Sequence, residues 1–495
     1  MSTRQEADRT ETHTRTRRNP GPEAALAGPI VMKFGGTSVA DPDAITRVIG
    51  IVKAARESSG LPPVVIVSAM SGVTDRLLEL TKSAEQRRDA HVLNGVAELS
   101  RRHFEAIERL LPAVAANELL VEIGAQLDDL RALLKATGIL RAASPSAHDA
   151  IVCTGELINS RIVAAALEHS GIPAAWVDAR RAIVTDAAHT AASPRPDETR
   201  EAVSREIIPR VAEGRVPVVG GFVGATSQGV TTTLGRGGSD YSAAIIGAAL
   251  DSREIQIWTD VDGMLTADPR VVKSPHVVPF LSFGEASELA YFGAKVLHPS
   301  TILPAVDKDI PVRILNSRRA GGAGTTITAA PPTADRPLAA VACKRHVTMV
   351  EITSTRMLMA HGFLRRVFEV FERHRTAVDV VTTSEVSVSV TVDDAARLDE
   401  IVGSLREFAE VNVEGGLAIL CAVGDNLRCD PRIAARVIGA LEGFPVRMVS
   451  QAASRRNVTI VVRDEDLSRG MAQLHEEFFG DAATSATGAR SATGA

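Results

Sequence analysis

Short apolar runs recur along the first two thirds of the chain, and they end in small or polar residues. Examples are IVMKFGG, PVVIVSAM, VPVVGGF and REIQIWTD, and segments of helix-like periodicity such as YSAAIIGAAL lie between such runs. Uninterrupted apolar runs that alternate with helices are typical of buried strands in a parallel sheet. The pattern predicts an α/β fold in which a mostly parallel open sheet lies between helices.

The pattern changes after a stretch rich in Gly, Ala and Pro, NSRRAGGAGTTITAAPPTADRPLAA. Beyond it, VTMVEIT, FLRRVFEVFERHR, VDVVTTS and EVSVSVTVD read as strand, helix, strand and strand, and LAILCAVGD, PRIAARVIGALEGF, VRMVSQAAS and NVTIVVRD repeat that order. Two such cycles predict a pair of small ferredoxin-like α+β modules. The predicted divisions are a disordered extension at 1–28, the α/β domain at 29–325, a linker at 326–340, the paired modules at 341–480 and a disordered tail at 481–495.

Composition narrows the class of protein. A chain of 495 residues is too long for one core, so about two to four domains are expected. Aromatic residues make up 3% against 45% hydrophobic residues overall, which favours cores of Val, Ile, Leu and Ala. The net charge of −5 argues against a nucleic-acid groove, which needs clustered positive charge.

Cysteine usage and the chain termini bear on the compartment. The four cysteines show no CxxC spacing, which favours free thiols in a reducing environment. No apolar run reaches the roughly 20 residues of a membrane span, and the polar N-terminal segment does not resemble a secretory signal. We therefore expect a cytoplasmic protein without a membrane partner.

Two glycine-rich stretches are candidates for anion binding. In KFGGTS, Lys33 stands beside Gly35 and Gly36 at a strand end, where a lysine can meet a phosphate oxygen while glycine amides close around it. In TTTLGRGGSDYSA, glycines precede a helix whose N-terminus favours negative charge. Ordinary turns would also use these residues, so each stretch alone leaves that alternative open.

Three further stretches carry charged side chains to similar places. WTDVDGMLTADPR follows a strand directly, where open α/β sheets bind ligands. YFGAKVLHPST carries Lys295, and VCTGELINSR places Glu156 at a helix start, where it could bind a cation or merely complement the helix dipole. Lysines, an arginine, glycine amides and carboxylates on the loops of one sheet together indicate phosphoryl transfer, which depends on positioning and charge neutralisation.

With these motifs in order, the chain resembles the aspartate kinases of the amino-acid kinase family, most closely the monofunctional lysine-sensitive type with tandem ACT domains. The resemblance runs from about residue 29 to 478 and rests on KFGGTSV, TTTLGRGGSDYSA, WTDVDG, TADPR and FGAKVLHPST. It implies transfer of the γ-phosphoryl group of ATP to L-aspartate, with Mg²⁺, giving 4-phospho-L-aspartate. That reaction is the first step toward lysine, threonine and methionine.

The resemblance also implies roles for individual residues. The implied catalytic residues are Lys33, Asp240 and Lys295. The implied aspartate-binding residues are Thr74, Glu156, Phe222, Arg236 and Ser239, with Arg236 and Ser239 on the α-carboxylate and Glu156 on the amino group. The implied ATP-binding residues are Lys33, Gly35, Gly36, Thr259, Asp260, Leu265, Arg270, Lys295 and Val296. Relatives commonly carry tyrosine at the position of Leu265, which places that contact in question. No protein metal ligand is implied.

The C-terminal modules resemble paired ACT domains, with the second inserted in the first. The implied effector-binding residues are Met357, Phe363, Leu364, Val378, Asp379, Ser384 and Glu385. Asp379 would meet the effector's ammonium group, whereas Met357, Phe363 and Leu364 could equally be core residues of a helix. Ala360 and Ala377 replace residues that are commonly polar in lysine-sensitive relatives, so lysine is the first choice of effector and threonine or insensitivity the next.

Assembly and two alternative functions complete the sequence-based expectations. ACT pairs imply a homodimer or a higher homo-oligomer. One alternative is a binding-only amino-acid sensor whose kinase half is inactive, and the other is a sister kinase acting on glutamate or its acetylated form. The presence of Lys33, Glu156, Arg236, Asp240 and Lys295 argues against the first, and RGGSDYSA together with Glu156 favours aspartate over the second.

Overall fold

The architecture comes from a computed structural model. It describes residues 28–293, 297–332, 336–354, 361–425, 427, 430–451 and 455–480. The predicted site residues Lys295, Val296 and Met357, and the replaced position Ala360, lie outside these ranges.

An eight-stranded sheet forms the centre of the first part of the chain. Its strands, together with those of a small second sheet, are β1 (Ile30–Phe34), β2 (Val64–Val67), β3 (Ala174–Val177), β4 (Val184–Thr185), β5 (Val216–Gly220), β6 (Val223–Thr226), β7 (Thr231–Thr233), β8 (Glu254–Thr259), β9 (Phe280–Ser282), β10 (Val312–Asn316) and β11 (Thr325–Thr328). The large sheet has the order β3-β5-β2-β1-β8-β10-β11-β9, and β4, β6 and β7 form the small one. Pairing is parallel except between β10 and β11 in the large sheet and between β6 and β7 in the small one.

Helices cover both faces of the large sheet. They are α1 (Pro42–Ser59), α2 (Val73–Glu85), α3 (Asp89–Leu110), α4 (Ala113–Leu140), α5 (Pro145–Val152), α6 (Thr154–His169), α7 (Ala179–Ala182), α8 (Pro196–Glu206), α9 (Ile208–Ala212), α10 (Gly238–Ala249), α11 (Phe283–Tyr291) and α12 (Leu303–Asp307). Because successive strand side chains point to opposite faces, Val31 belongs to one hydrophobic core and Met32 to the other. The expected α/β fold is confirmed.

The sheet order brings four strand ends together. β5, β2, β1 and β8 are parallel neighbours, so their carboxyl ends lie side by side at one edge. The loops that leave these ends are those that carry the glycine-rich and charged stretches. Their convergence follows from topology, because parallel strands present all their C-terminal loops on the same side.

The last part of the chain forms a six-stranded antiparallel sheet. Its elements are β12 (Ala340–Thr353), α13 (Phe363–Arg373), β13 (Val381–Thr383), β14 (Ser387–Val392), α14 (Leu398–Arg406), β15 (Glu410–Val423), α15 (Pro431–Gly439), β16 (Met448–Ser450), β17 (Asn457–Arg463) and α16 (Leu467–Phe479). The strand order is β13-β14-β12-β15-β17-β16. Both predicted strand-helix-strand-strand cycles are present, but β12 and β15 are longer than the apolar runs from which they were predicted. Val341 and Val350 of β12 lie in two different cores, so this one strand serves both modules.

One helical stretch has the length and apolar composition of a membrane span. It runs over Pro145–His169, because α5 and α6 follow each other almost without a break, so the expectation that no apolar stretch reaches this length was wrong. The surrounding protein buries 83% of its most apolar 18 residues. It packs as a core helix beside the sheet, and no other described helix has these properties.

Candidate active site

A cleft of about 620 Å³ opens at the carboxyl ends of β1, β2 and β5. Lining residues named among the predicted site are Lys33, Gly36, Thr74, Glu156, Phe222, Arg236, Ser239 and Asp240. These residues come from five separate stretches of sequence, and the parallel sheet brings them to one place. The cleft therefore gathers the predicted aspartate-binding residues together with one predicted catalytic lysine.

Lys33 is the cation at the floor of this cleft. It lies on β1 between β2 and β8, is 8% exposed, and places its Nζ 2.6 Å from Oδ1 of Asp240. Asp240 lies in the first turn of α10, where a carboxylate is also favoured by the helix dipole. The pair fixes the direction of the ammonium group, and its other N–H donors stay available to a ligand.

Two glycines after Lys33 bring the backbone close to neighbouring loops. The amide of Gly35 donates to the carbonyl of Trp258 at 3.1 Å. A Cβ at Gly36 would lie 3.1 Å from the carbonyl oxygen of Ala69, closer than most side chains tolerate. A larger residue at position 36 would therefore push the chain toward the cleft, which explains the use of glycine beside the lysine.

The glycine-rich loop before α10 forms the opposite wall. Gly235 and Gly237 have φ values of +75° and +72°, which L side chains rarely adopt. The loop thus turns sharply and delivers Arg236 and Ser239 to the cleft. Arg236 is exposed and forms no ion pair with any carboxylate in the described ranges, so its guanidinium is available for a ligand carboxylate.

Phe222 closes the space behind this loop. Its φ of +68° is unusual for an aromatic residue, and its amide donates a hydrogen bond to the hydroxyl oxygen of Ser242 at 2.9 Å. A Cβ added to Gly238 would lie 2.6 Å from the Phe222 ring. The ring and the start of α10 are therefore packed in direct contact.

Glu156 faces the cleft from the first turn of α6. It is buried, and that burial raises its pKa to about 8, although backbone amides and the Thr74 hydroxyl oppose the shift. Its Oε2 atom is buried without a hydrogen-bond partner among the described residues. A buried carboxyl group with an unused oxygen is well suited to receive a ligand ammonium group.

The predicted nucleotide-binding residues lie on the other side of Lys33. Thr259 and Asp260 follow β8, and the carbonyl of Thr259 accepts the amide of Ser317 at 2.8 Å. A second cavity of about 210 Å³ is lined in part by Leu265 and Arg270. Leu265 offers an apolar surface there.

Arg270 has a partner that the sequence reading missed. Its guanidinium binds Asp268 through two parallel contacts, Nη2 to Oδ2 at 2.6 Å and Nε to Oδ1 at 3.0 Å. These hydrogen bonds raise the pKa of Arg270 and lower that of Asp268. The turn TADPR therefore holds its arginine internally in this structure.

The predicted effector residues divide into two groups. Phe363 is buried in the core of its module, as the alternative of a packing residue would have it. Leu364 and Glu385 are exposed. The Asp379 side chain is 2% exposed and lies 2.6 Å from the Nζ of Lys344. The remaining members are Val378, which precedes Asp379, and Ser384, which directly follows β13.

Some cleft residues were not anticipated from sequence. His148, Thr190 and Thr233 also line the cleft. Thr233 belongs to the TTT run that opens the glycine-rich stretch, which was a usable signal, whereas His148 and Thr190 lie in stretches without a motif. Only the packing of α5 and of the loop before α8 brings the latter two to the site.

Both parts of the chain are similar to known protein families. Residues 28–316 match the amino acid kinase family, and residues 420–478 match an ACT domain. The chain belongs to the amino acid kinase family. Within that family its relatives are aspartokinases, so the resemblance drawn from the sequence motifs is confirmed.

Two curated aspartokinases illustrate the extent of the match. Lysine-sensitive aspartokinase 3 of Escherichia coli is 36% identical over 459 residues, covering 91% of this chain and 99% of the relative. Chloroplastic aspartokinase 1 of Arabidopsis thaliana is 38% identical over 475 residues, covering 91% and 80%. The alignment therefore spans both the kinase part and the regulatory part.

Solved structures show the same similarity. Aspartokinase III of E. coli in complex with aspartate and ADP, described as an R-state, superposes with a TM-score of 0.77 at 35% identity, covering 91% of this chain and 100% of that one. The same enzyme in complex with lysine and aspartate, described as a T-state, also gives 0.77 at 35% identity. The expected fold of an amino-acid kinase domain joined to ACT modules is thereby confirmed.

Proposed function

We propose that this aspartokinase transfers the γ-phosphoryl group of ATP to the side-chain carboxylate of L-aspartate, giving ADP and 4-phospho-L-aspartate. The observation that carries the proposal is the single cleft in which Lys33, Arg236 and Glu156 face one another. A cation for the phosphates, a cation for a carboxylate and a carboxyl group for an ammonium match the charges of an amino acid beside a nucleotide. The product is the first intermediate toward lysine, threonine and methionine.

The reaction needs no general base from the protein. The nucleophile is the substrate's β-carboxylate, which is already ionised at neutral pH because an unperturbed Asp has a pKa of about 3.9. The obstacle is repulsion between two anions, roughly 4 kcal/mol for each unit charge pair at about 4 Å and an effective dielectric near 20. Lys33 would offset this repulsion, with Asp240 holding its ammonium in place and Lys295 supplying a second cation.

Substrate recognition would follow from the two walls of the cleft. Arg236 would bind the α-carboxylate, with Ser239 beside it at the start of α10. Glu156 would bind the α-ammonium group after losing its proton, and Thr74 lies close enough to hydrogen-bond this carboxyl group. Phe222 would limit the length of the substrate by closing the space behind the loop.

The nucleotide would lie along the glycines after β1 and the end of β8. Gly35 and Gly36 would approach the phosphates, with Thr259, Asp260, Leu265, Arg270 and Val296 toward the nucleoside. Arg270 would have to leave Asp268, at least in part, to bind the nucleotide. Leu265 would supply apolar contact without a hydroxyl group.

Mg²⁺ would accompany the ATP. Among the described residues no group of three His, Cys, Asp or Glu side chains could hold a metal by itself. This donor set is compatible with Mg²⁺, which kinases bind mainly through substrate phosphates and one or two carboxylates. Asp240 is already paired with Lys33 through Oδ1, so the ion would be held mainly by the phosphates of ATP, to which it would supply positive charge.

An amino-acid effector, with L-lysine as first choice, would bind in the regulatory half. Asp379 supports this proposal, because its Oδ2 is buried without a hydrogen-bond partner in the described parts of the chain. Lys344 already lies on the other oxygen, so an effector ammonium would be received at Oδ2. Val378, Ser384, Glu385, Leu364 and Met357 would complete the pocket.

The organisation proposed for the protein follows the same reasoning. The kinase domain would span 29–325 and the nested ACT modules 341–480, joined by a linker at 326–340. A homodimer or higher homo-oligomer would form through the ACT modules, in the cytoplasm.

The test is trapping of the acyl phosphate by hydroxylamine. Purified protein with Mg²⁺ and ATP is given aspartate, glutamate or N-acetylglutamate, and hydroxamate is measured with and without millimolar lysine or threonine. Hydroxamate from aspartate alone supports the proposal. Preference for glutamate or its acetylated form contradicts the substrate, no product with any substrate favours a sensor, and an unchanged rate with either amino acid contradicts regulation.

A further inference from the structure

A buried carboxylate that has no role in the site described above joins three segments of the cleft wall. Asp149 lies in α5 and is 0% exposed. Its Oδ1 accepts the hydroxyl of Thr233 at 2.6 Å, and its Oδ2 accepts Nδ1–H of His189 at 2.8 Å. The amide of Thr190 donates to both oxygens at 3.1 Å. The carboxylate is thus fully used by groups from outside its own helix.

One of these partners has a strained backbone. Thr190 has a φ of +72°, a region in which β-branched residues are genuine outliers. Such a conformation persists only where the surroundings determine it strongly. The two hydrogen bonds from its amide to Asp149 hold Thr190 on one side, while the backbone hydrogen bonds of Ala191 and Ala192 fix the chain after it.

The strained residue supports the glycine-rich loop directly. The carbonyl oxygen of Thr190 would lie 3.3 Å from a Cβ at Gly235, so the two backbones are in close contact. The amide of Ala192 donates to the carbonyl of Thr233 at 2.9 Å, and Thr233 leads through Leu234 into that loop. Asp149 therefore hydrogen-bonds both Thr190 and Thr233, whose segments set the position of Gly235 and of Arg236 after it.

Asp149 does not itself line the cleft, whereas Thr190 and Thr233 do. We propose that Asp149 is a positioning residue for aspartate binding: it holds Thr190 and Thr233 so that the loop carrying Arg236 and Ser239 is preorganised around the substrate's α-carboxylate. This inference rests on the proposed function of the cleft. It assigns to α5, whose sequence SPSAHDAIV carries no recognised motif, a part in substrate affinity.

The main test is Asp149→Asn, which keeps the size of the side chain. In either orientation the amide nitrogen of asparagine sets an N–H group against the Thr190 amide, because that amide donates to both oxygens. The expected result is a rise in KM for aspartate of about tenfold, since small displacements of a positioning group reduce affinity strongly. KM for ATP and the kcat at saturating aspartate should change less than about threefold.

A rescue separates positioning from general damage. Glycine adopts a φ near +72° without strain, so Thr190→Gly lets the chain keep this backbone conformation when the hydrogen bonds to residue 149 are weakened. The double variant Asp149→Asn with Thr190→Gly should recover much of the affinity, with a KM within about threefold of the wild type. A calorimetric titration with aspartate measures the same effect without turnover.

Thr232→Val is the matched control for lost stability. Thr232 is buried on the same strand as Thr233, and its hydroxyl pairs with that of Thr185 at 2.7 Å on the other side of the strand. The variant should lower the melting temperature while leaving KM for aspartate unchanged.

The outcomes are distinct. A selective rise in KM for aspartate in Asp149→Asn, recovered by Thr190→Gly and absent in Thr232→Val, supports the inference. An unchanged KM, an equal rise for ATP, or a double variant that recovers nothing overturns it while wild-type activity stands. A wild type that forms no acyl phosphate from aspartate overturns the proposed function, and this inference with it.

Discussion

Two lysine–carboxylate pairs of equal length lie in the two halves of the protein and differ in what surrounds them. In the kinase cleft, Nζ of Lys33 lies 2.6 Å from Asp240. In the regulatory half, Nζ of Lys344 lies 2.6 Å from Asp379 and 2.7 Å from Asp393, and 5.2 Å from the ring centre of Tyr291. The first ammonium has one carboxylate partner and lies at a ligand-sized cleft, whereas the second has two carboxylate partners and a tyrosine ring beside it.

The difference shows how one residue pair serves two purposes. A lysine with a single partner keeps donors for a ligand, which suits phosphate binding. A lysine shared by two carboxylates is already satisfied; burial opposes its charge, but hydrogen bonds to Asp379 and Asp393 raise the pKa of Lys344 above its usual value. We expect the first pair to control catalysis and the second to control the structure of the regulatory half.

The largest expected effect is that of Lys33→Met on turnover. Removing the cleft ammonium withdraws positive charge from the phosphoryl group in the transition state, so kcat should fall about 10³-fold, with a much smaller change in KM for aspartate. Steady-state kinetics with both substrates varied measure this split. Equal losses in kcat and in affinity would mean that Lys33 acts in binding only.

The next largest is Arg236→Ala, on the opposite wall of the same cleft. Loss of a charge-assisted pair to the α-carboxylate should raise KM for aspartate about 10²-fold while KM for ATP changes little. Saturation by aspartate at wild-type concentrations in this variant would refute the assignment. Arg313, an arginine on β10 that pairs with Glu254, provides a control substitution remote from the cleft lining.

The ionisation of Glu156 is expected to change KM for aspartate about tenfold per pH unit. Its pKa of about 8 means that the free enzyme holds it protonated at neutral pH, and a substrate ammonium needs the ionised form. KM for aspartate should therefore fall about tenfold per unit as pH rises toward 8 and then level off. Glu156→Gln should bind aspartate weakly and lose this dependence. A wild-type KM that is flat from pH 6 to 8 would contradict the raised pKa.

The same shift has a consequence for stability. A carboxyl group whose folded-state pKa is raised from 4.5 to about 8 contributes stability below pH 4.5 that is lost as pH rises toward 8. In Glu156→Gln this loss should be absent. Urea unfolding of both proteins at pH 5 and pH 8 measures it, and identical pH dependences would contradict the assignment.

The smallest effect on activity is expected for Lys344→Met. Because this lysine lies outside the cleft, kcat without effector should stay within about twofold of the wild type. The free energy of unfolding should fall by roughly 1–3 kcal/mol, since the buried Asp379 loses its cation. A loss of kcat comparable with that of Lys33→Met would erase the proposed distinction between the two pairs.

Much of the catalytic half was readable from the chain. Apolar runs located β1, β2, β5 and β8, because strands covered on both faces leave no polar alternation. Lys33, Gly36, Arg236, Ser239 and Asp240, which line the cleft, lie in two contiguous motifs, and the family resemblance carried by those motifs implied their roles. The two regulatory cycles were also predicted from the sequence. The lengths of β12 and β15 were not predicted, because hydrogen bonding to two neighbouring strands extends a strand beyond its most apolar part.

Other features depended on contacts between distant segments. The partnership of Arg270 with Asp268 competes with the ATP-binding role that the family resemblance implies for this arginine. Asp149 lies in an apolar stretch without a motif, and no neighbouring residue in the sequence predicts its hydrogen bonds to Thr190 and Thr233. Lys344 likewise meets Asp379 only because β12 packs beside β14.

The sequence by itself determined the class of fold, the family and the chemical types present at the cleft, since these depend on local periodicity and on motifs whose residues are neighbours in the chain. Tertiary structure alone decided which charges are paired, which carboxyl group is buried enough to hold its proton, and which side chains support the substrate loop. The physical reason is that burial and pairing are properties of contacts between segments far apart in the chain, and both the pKa of Glu156 and the clamp at Asp149 arise from such contacts.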